Sequence, residues 1–340
     1  MSILVTGGAG YIGSQVVKDL LSSGRDVVVF DNFSTGHAEA LHSIKKIISQ
    51  QVTSAKLQTY YGDTRNRKLL TGIMTKEKIT AVIHLAAYSQ VAESMLNPGK
   101  YLDNNLAGTI SLLDSMMNAG VKNIVFSSTA AVYGEPLEIP ISEKHPTKPT
   151  NVYGASKLMV EDILGWYDRI YGIKHIALRY FNAAGADDSG MLGEHHEPET
   201  HLIPLVLQTV LGKRDGLTVY GDDYPTVDGT CIRDYIHIAD LASAHIASLN
   251  ALENGGASST YNLGNGNGYS VNDIILTTRQ ITGIEIPVHY GARRAGDPAI
   301  LVADAGQAGK ELGWEIRYKD LGSIIASAWK WHQNHPEGYK

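Results

Sequence analysis

The chain has 340 residues, 43% of them hydrophobic and 19% charged, which describes a globular protein with a substantial core in one large two-lobed unit or two domains. Its net charge of −6 and pI near 6.1 give no electrostatic reason to expect nucleic acid or an anionic membrane as partner, so any phosphate binding must be local. Cys231 is the only cysteine, which rules out an intrachain disulfide and favours a reducing compartment. With no basic leader and no uninterrupted apolar segment visible, the expected location is the cytoplasm.

Ser2 to Thr6 reads as a buried strand, and Gly7-Gly8-Ala9-Gly10-Tyr11-Ile12-Gly13 leads into a helical segment ending near Ser23-Gly24. Glycines at 7, 10 and 13 allow a tight turn, close approach of backbone amides to a pyrophosphate, and tight helix-on-strand packing. Asp26 to Phe30 supplies a second strand, with Asp31 at its end about twenty residues beyond the glycine loop. A carboxylate there accepts hydrogen bonds from ribose hydroxyls and repels a 2′-phosphate, favouring NAD over NADP. Strand, glycine loop, helix, strand and acid together predict a bound dinucleotide.

Residues from Glu39 to Lys56 are polar with weak helical periodicity and read as a surface excursion before a strand at Leu57 to Tyr61. Asp63 follows, placed either for the adenine edge or for an ordinary turn. The next strand, Ala81 to Leu85, ends in Ala86-Ala87, small residues that let backbone approach a cofactor. Tyr101 to Met117 has long helical spacing, with Asn104 offered as part of the cofactor wall and Asn105 beside it.

Ile124, Val125 and Phe126 form a short apolar run suited to a buried parallel strand, and Ser127, Ser128 and Thr129 stand at its carboxyl end. Ligands of open α/β sheets bind at that end, so the hydroxyls are placed for substrate. A helix resumes near Asn151, with Tyr153 and Lys157 four apart on one face. A phenol with an ordinary pKa of about 10 is a poor base at neutral pH. An ammonium about 5 Å away, at an effective dielectric of about 20, favours phenolate by roughly 3 kcal/mol, or about two pKa units. Tyr153 is then a proton acceptor for an alcohol being oxidised.

Ile176 to Tyr180 is another strand, closing on Phe181-Asn182. The strand and helix alternation to this point predicts a doubly wound parallel sheet of Rossmann type, with a second, smaller α/β substrate lobe. The expected division is a dinucleotide-binding domain over 1–182, with segments near 234–264 packing back onto it, and a substrate lobe over 183–340. Glycine, proline and mixed charge dominate Ala183 to Pro198. His195, His196 and His201 with Glu194 and Glu197 fit no standard zinc spacing, so a substrate-covering loop is expected there and no metal.

Leu202 to Leu211 reads as an apolar helix and Leu217 to Tyr220 as a strand. Arg233 is a candidate phosphate partner, since guanidinium forks match phosphoryl oxygens, unless it pairs with Asp228 or Asp234. Tyr261 to Leu263 is a strand, Val271 to Ile281 a helix, and Arg293-Arg294-Ala295-Gly296-Asp297 a second basic cluster. Two separated arginine sites in an acidic protein suit a diphosphate-bearing ligand. Leu321 to Trp331 is a closing amphipathic helix, and no internal repeat or low-complexity segment is present.

Thr6 to Gly13, Asp31-Asn32, Asn104-Asn105, Ser127 to Gly134, Tyr153-Gly-Ala-Ser-Lys157, Leu178 to Asn182, Arg233-Asp234-Tyr235, Arg293 to Asp297 and the ending from Trp329 to Tyr339 together resemble the extended short-chain dehydrogenase/reductases, and among them the nucleotide-sugar 4-epimerases. The resemblance covers nearly the whole length. It implies a tightly held NAD and interconversion of UDP-glucose and UDP-galactose by transient oxidation at C4. Tyr153 would take the proton of the 4-hydroxyl, Lys157 would hold Tyr153 ionised and bond the nicotinamide ribose, and Thr129 would bond the 4-hydroxyl. The cofactor contacts it implies fall on the glycine loop with Tyr11 and Ile12, on Asp31, Asn32, Asp63, Thr64, Ala86, Ala87 and Asn104, and on Tyr180 beside the carboxamide. His201, Asn182, Leu202, Arg233, Arg294, Asp297 and Leu301 would line the UDP-sugar cleft, and a homodimer would pack through the Tyr101 and Tyr153 helices.

Three departures accompany that resemblance. Ser89 stands where some members carry a lysine, His201 where some have asparagine, and Leu301 replaces a tyrosine found in members restricted to unacetylated sugars. The shorter leucine leaves room for an N-acetyl group, so activity on UDP-N-acetylglucosamine is expected as well. Epimerases of other UDP-sugars such as uronates are the alternative within the class. A 4,6-dehydratase needs an acid and base directly after the strand-end threonine, where this chain has Ala130-Ala131. A non-catalytic NAD sensor is expected to lose the Tyr/Lys pair, which is present.

Overall fold

A computed structural model describes residues 2–294 and 296–340. Seven strands form one parallel sheet: β1 (Ser2–Thr6), β2 (Asp26–Asp31), β3 (Leu57–Tyr61), β4 (Ile79–His84), β5 (Asn123–Thr129), β6 (Lys174–Tyr180) and, after β7 (Asn182–Ala184), β8 (Leu217–Tyr220) and β9 (Ile232–His237), β10 (Ser259–Leu263). Their spatial order is β10-β6-β5-β4-β1-β2-β3. The order reverses between β1 and β4, and in doubly wound sheets the crevice outside the carboxyl ends at that reversal is where a dinucleotide sits.

The strands read as continuous apolar runs because helices cover both faces. Tyr11–Ser22, Ala38–Ser49 and Ile238–Glu253 supply one face, whose core includes Val16, Ile44, Val125 and Leu249. Arg67–Lys76, Gly108–Ala119 and Val152–Tyr171 supply the other, with Leu70, Leu112, Ile124 and Leu164 buried together. Each such side chain contributes roughly 1.5–3 kcal/mol by leaving water, so the sheet is held from both sides.

The stretch expected as a surface excursion is instead a helix from Ala38 to Ser49, with Ala40, Leu41 and Ile44 buried against the first face. Three apolar positions at helical spacing suffice to dock it, even though most of its other residues are polar. The Leu102–Ala107 part of the expected Tyr101 to Met117 helix is wound as a π-helix, an insertion that re-aims the asparagines it carries.

The remaining strands build smaller sheets. β9 pairs antiparallel with β11 (Gly268–Ser270) and parallel with β7 and with β13 (Ile300–Leu301), while β8 pairs with β12 (Val288–Gly291). Leu202–Val210, Val271–Thr282 and Leu321–Asn334 pack around them over a core of Val206, Ile274 and Ile325. The chain passes from β6 to β7 through a single residue, Phe181, which puts this second group of elements directly beyond the carboxyl end of the large sheet.

Candidate active site

The glycine loop lies at the carboxyl end of β1. Gly7 has φ +73°, and a Cβ there would stand 2.6 Å from the Ala86 nitrogen, so only glycine lets the ends of β1 and β4 approach. A Cβ on Gly13 would stand 2.0 Å from the Gly7 carbonyl oxygen, which fixes how closely the Tyr11–Ser22 helix seats on the turn. At Gly10, by contrast, a Cβ would meet only the Gly7 oxygen, at 3.3 Å. Gly10 is also the N-cap of this helix and offers no side chain to its first amides, which leaves them for a pyrophosphate.

Asp31 is buried, one carboxylate oxygen accepting from the Ala9 nitrogen at 2.9 Å and the other from the Phe33 nitrogen at 2.8 Å. Burial raises its pKa, and those backbone donors act against the rise. A carboxylate braced by the glycine loop, with further lone pairs on each oxygen, fits ribose hydroxyls, and these residues together fit NAD. Asn32 donates to Asp63 at 3.2 Å, and Asp63 is gripped by the Arg65 guanidinium, which holds its carboxyl down at about 2. Thr64 is buried where a Cβ on Gly108 would touch its hydroxyl at 2.6 Å. Asn104 donates to Asn105, and it is Asn105 that clamps the backbone of Tyr88 on both sides and donates to Ser156 Oγ.

The three hydroxyls at the end of β5 diverge. Ser127 bonds the Tyr180 hydroxyl, and Ser128 donates to Glu161, which is itself held by the forked Arg179 guanidinium. Thr129 Oγ1 accepts from the Ala131 nitrogen at 3.1 Å, and its hydroxyl acts to lower the Tyr153 phenol against the larger effect of burial. Two of the three are therefore held by side chains of the neighbouring strand and helix.

Tyr153 and Lys157 lie one turn apart in the Val152–Tyr171 helix, capped by the Asn151 side chain and tied through Tyr153 N to Ser94 Oγ at 3.2 Å. The expectation that Lys157 lowers the phenol is not met in the cofactor-free chain. Burial pushes Tyr153 up to about 12, with Thr129 acting the other way. The Lys157 amine donates to the Ser127 carbonyl at 2.8 Å and stands 6.0 Å from the Tyr153 ring centre. Burial brings it down to about 7, against the opposing charge of Glu161. Desolvation is the larger effect on the phenol in the cofactor-free chain.

On the far side of the crevice, Arg233 pairs with neither Asp228 nor Asp234. Asp228 is occupied by Thr230 and Ser270, and Asp234 by the amides of Asn265, Gly266 and Ala303. Among the described residues the Arg233 guanidinium has a loose contact to Asp297, 3.6 Å, and a bond to the Ile232 carbonyl. Arg294 lies over the Tyr220 ring at 4.1 Å, and Arg293 over Tyr224 at 4.3 Å while paired with Asp223. Ala295 of the same motif lies outside the described residues. Strand register sets Leu301 beside Arg233 and Asn182 beside Tyr235. Leu301 packs against the cluster of Ala130, Tyr133 and Phe181, which ties β13 to the end of β5.

Sequence reasoning passed over three features. Tyr224 is buried with its hydroxyl unpartnered, and the Tyr220-to-Tyr224 segment following β8 was the available signal. His84 is clamped between the Thr6 and Thr109 hydroxyls beneath the crevice, and burial takes it down to about 3. The acidic and histidine loop also has different members from those expected: Glu197 is exposed beside His195, whereas Glu194, His196, Glu199 and His201 converge. His201 Nδ1 lies 2.9 Å from both carboxylates.

A parallel sheet whose strand order reverses beside a glycine loop, with an acid braced at the end of β2, is the frame of a dinucleotide-binding α/β protein. The NAD dependent epimerase/dehydratase family model matches residues 3–264, and the chain belongs to that family. It is 51% identical over 339 residues to a UDP-glucose 4-epimerase of Lacticaseibacillus casei, covering 100% of this chain and 99% of that one. Among solved structures, a crystal structure of UDP-glucose 4-epimerase superposes with TM-score 0.94 at 48% identity over the full length of both chains. The Bifidobacterium longum UDP-glucose 4-epimerase in complex with NAD+ and UDP superposes at 0.93 with 40% identity, again over 100% of both.

Proposed function

We infer that this chain interconverts UDP-glucose and UDP-galactose by inverting C4 of the sugar, with NAD as its cofactor. The observation that carries the reading is the meeting of Thr129, Tyr153 and Lys157 at the β5 end of a crevice whose opposite wall presents Arg233 and Arg294 with no tight carboxylate partner. NAD, when bound, supplies the acceptor and then the donor of the C4 hydride. Thr129 orients the 4-hydroxyl, and Tyr153 takes its proton as the carbonyl forms. Arg233 and Arg294 grip the diphosphate while the 4-keto sugar turns to present its other face, and Tyr153 returns the proton once C4 is reduced from that side. Lys157 bonds the nicotinamide ribose and keeps the pair near the charge balance that phenolate requires.

Ala130 and Ala131, directly after Thr129, have no group to expel the 6-hydroxyl, which sets the reading apart from a dehydratase. Leu301, shorter than tyrosine, leaves the cleft open to an N-acetyl group, so UDP-N-acetylglucosamine is a second substrate. We assign 1–182 with the Ile238–Glu253 helix and β10 to the cofactor and the rest to the sugar nucleotide. The dimer face is formed by Met159, Trp166 and Ile170 of the Tyr153 helix, with Leu102, all exposed in the single chain. No helix among the described residues is long and apolar enough to cross a membrane, and we place the chain in the cytoplasm on its lone cysteine.

Incubation of the purified chain with UDP-galactose and no added NAD tests the activity. UDP-glucose is the expected product; a persistent 4-keto-6-deoxy sugar, or no turnover when NAD is also supplied, overturns it.

A further inference from the structure

The loop between β7 and the Leu202–Val210 helix brings four side chains to one point. The carboxylates of Glu194 and Glu199 are buried, with side-chain exposures of 7% and 5%, and among the described residues no lysine or arginine pairs with either. Facing them are the Nδ1 atoms of His196 and His201. One ligand atom from each of the four lies within 4.8 Å of all the others. His201 Nδ1 lies 2.9 Å from Glu194 Oε1 and 2.9 Å from Glu199 Oε1, and His196 Nδ1 lies 3.2 Å from Glu194 Oε1 and 3.6 Å from Glu199 Oε2. Four donors about 2.0–2.1 Å from one ion at tetrahedral angles stand about 3.3 Å apart, the middle of that range.

A hydrogen-bond account covers only half of the cluster. His201 satisfies it, but among the described residues the buried Nδ1 atom of His196 has no aligned hydrogen-bond partner: Glu194 Oε1 stands 3.2 Å away without the geometry of a bond, and Glu199 Oε2 at 3.6 Å is too far. The surrounding frame is also fixed before any ligand arrives. Trp331 Nε1 donates to the Glu194 carbonyl at 3.1 Å, the Tyr339 hydroxyl meets the Gly193 nitrogen at 3.1 Å, and His37 bonds the His195 carbonyl at 3.0 Å. Glu199 Oε1 accepts from the amides of Thr200 and His201, which orient the carboxylate from behind as outer-shell partners of a metal ligand do.

We propose that Glu194, His196, Glu199 and His201 form a binding site for one zinc ion, which joins the loop to the start of the Leu202–Val210 helix beside Tyr11 of the glycine loop. Two imidazoles favour zinc over calcium or magnesium, and two carboxylates balance a divalent charge. With four protein ligands the position is closed, so the ion is structural and takes no part in hydride transfer. His201 caps that helix and the His196 ring meets the Tyr11 ring edge-on at 6.3 Å, so the ion would lock the two crevice walls in register.

The test reads metal rather than turnover and so stands apart from the epimerase assay. Untagged enzyme grown with zinc is dialysed against metal-free buffer and its metal content measured. About one zinc per chain is expected, with a melting temperature that falls by several degrees on chelation and recovers on adding zinc chloride. Cobalt(II) added to the chelated wild-type chain should give the visible bands of a tetrahedral site, a readout that needs no variant. Glu194→Gln and His196→Asn should each abolish binding, and His289→Asn, on an exposed strand elsewhere, should retain it. A wild-type chain that neither retains zinc, nor gains melting temperature from it, nor gives the tetrahedral cobalt spectrum overturns the proposal and leaves the cluster as an ion-paired quartet.

Discussion

The two walls of the crevice handle polarity in opposite ways. On the side of the large sheet nearly every polar group at a strand end is already engaged within the chain: Asp31 with two amides, Ser127 with Tyr180, Ser128 with Glu161, and the Lys157 amine with a carbonyl. On the smaller side the guanidiniums of Arg233 and Arg294 have a loose carboxylate and an aromatic face. A wall braced from within holds a resident group in one geometry at little ordering cost. A wall with uncommitted charge gains its interactions when a diphosphate arrives and gives them up when it leaves. The difference suits the proposed roles of the two walls, one for a cofactor and one for a sugar nucleotide.

Breaking the braced wall at its reacting atom has the largest expected effect. Tyr153→Phe removes the proton acceptor and leaves the packing, so kcat should fall by about 10²–10⁴ while NAD content is unchanged. Loss of NAD together with activity would show that the phenol holds the cofactor rather than serving the chemistry. The Lys157 amine offers a probe of how much the bracing costs. Its folded pKa, about 7, lies below the ordinary 10.5, so between those values the unfolded chain binds more protons than the folded one. The contribution of this one group to the stability of the cofactor-free chain is then greatest above pH 10.5 and is lost as pH falls towards 7. Lys157→Met should flatten this slope and exceed the wild type in urea midpoint near neutrality. Parallel pH profiles for the two would mean that the lysine is as well hydrated folded as unfolded.

On the open wall, Arg233→Ala should raise KM for the UDP-sugar by about 10–100-fold with a smaller change in kcat, the loss of one charge-assisted contact. Initial rates across substrate concentration separate the two parameters. An equal loss in kcat with KM unmoved would place the arginine's contribution in the transition state instead.

How much of this was readable from sequence follows the same division. Gly7, Gly10, Gly13, Asp31, Tyr153 and Lys157 could be placed because backbone geometry and one helical turn dictate their spacing. The Ala38–Ser49 helix could not, since three buried apolar residues among polar ones leave little periodic signal. The partners of Ser127 and Ser128 were hidden for another reason. Tyr180 lies on the neighbouring strand and Glu161 on a helix, so only the packed sheet brings them near. The expected pKa shift of Tyr153 was misjudged because a four-residue spacing fixes the backbone positions but shows neither how far the phenol is buried nor that the amine donates to the Ser127 carbonyl. In the histidine loop, spacing suggested Glu197 where the folded loop turns Glu199 inward.

The smallest effect sharpens the comparison at the seam between the walls. Leu301 stands in register with Arg233 yet packs on the cluster of Ala130 and Phe181, so it belongs to both sides. Leu301→Tyr adds a phenol at the place we propose for an N-acetyl group, without replacing Tyr153 or Lys157. A pocket that merely loses space discriminates weakly, and the ratio of turnover on UDP-N-acetylglucosamine to that on UDP-glucose should fall by about tenfold. Wild-type turnover of the acetylated sugar below about a thousandth of the UDP-glucose rate would remove the premise, since a gap of roughly 4 kcal/mol is more than one side chain's missing ring would leave. A ratio that the substitution does not move would instead put the acetyl group elsewhere, against the wall that carries Arg233.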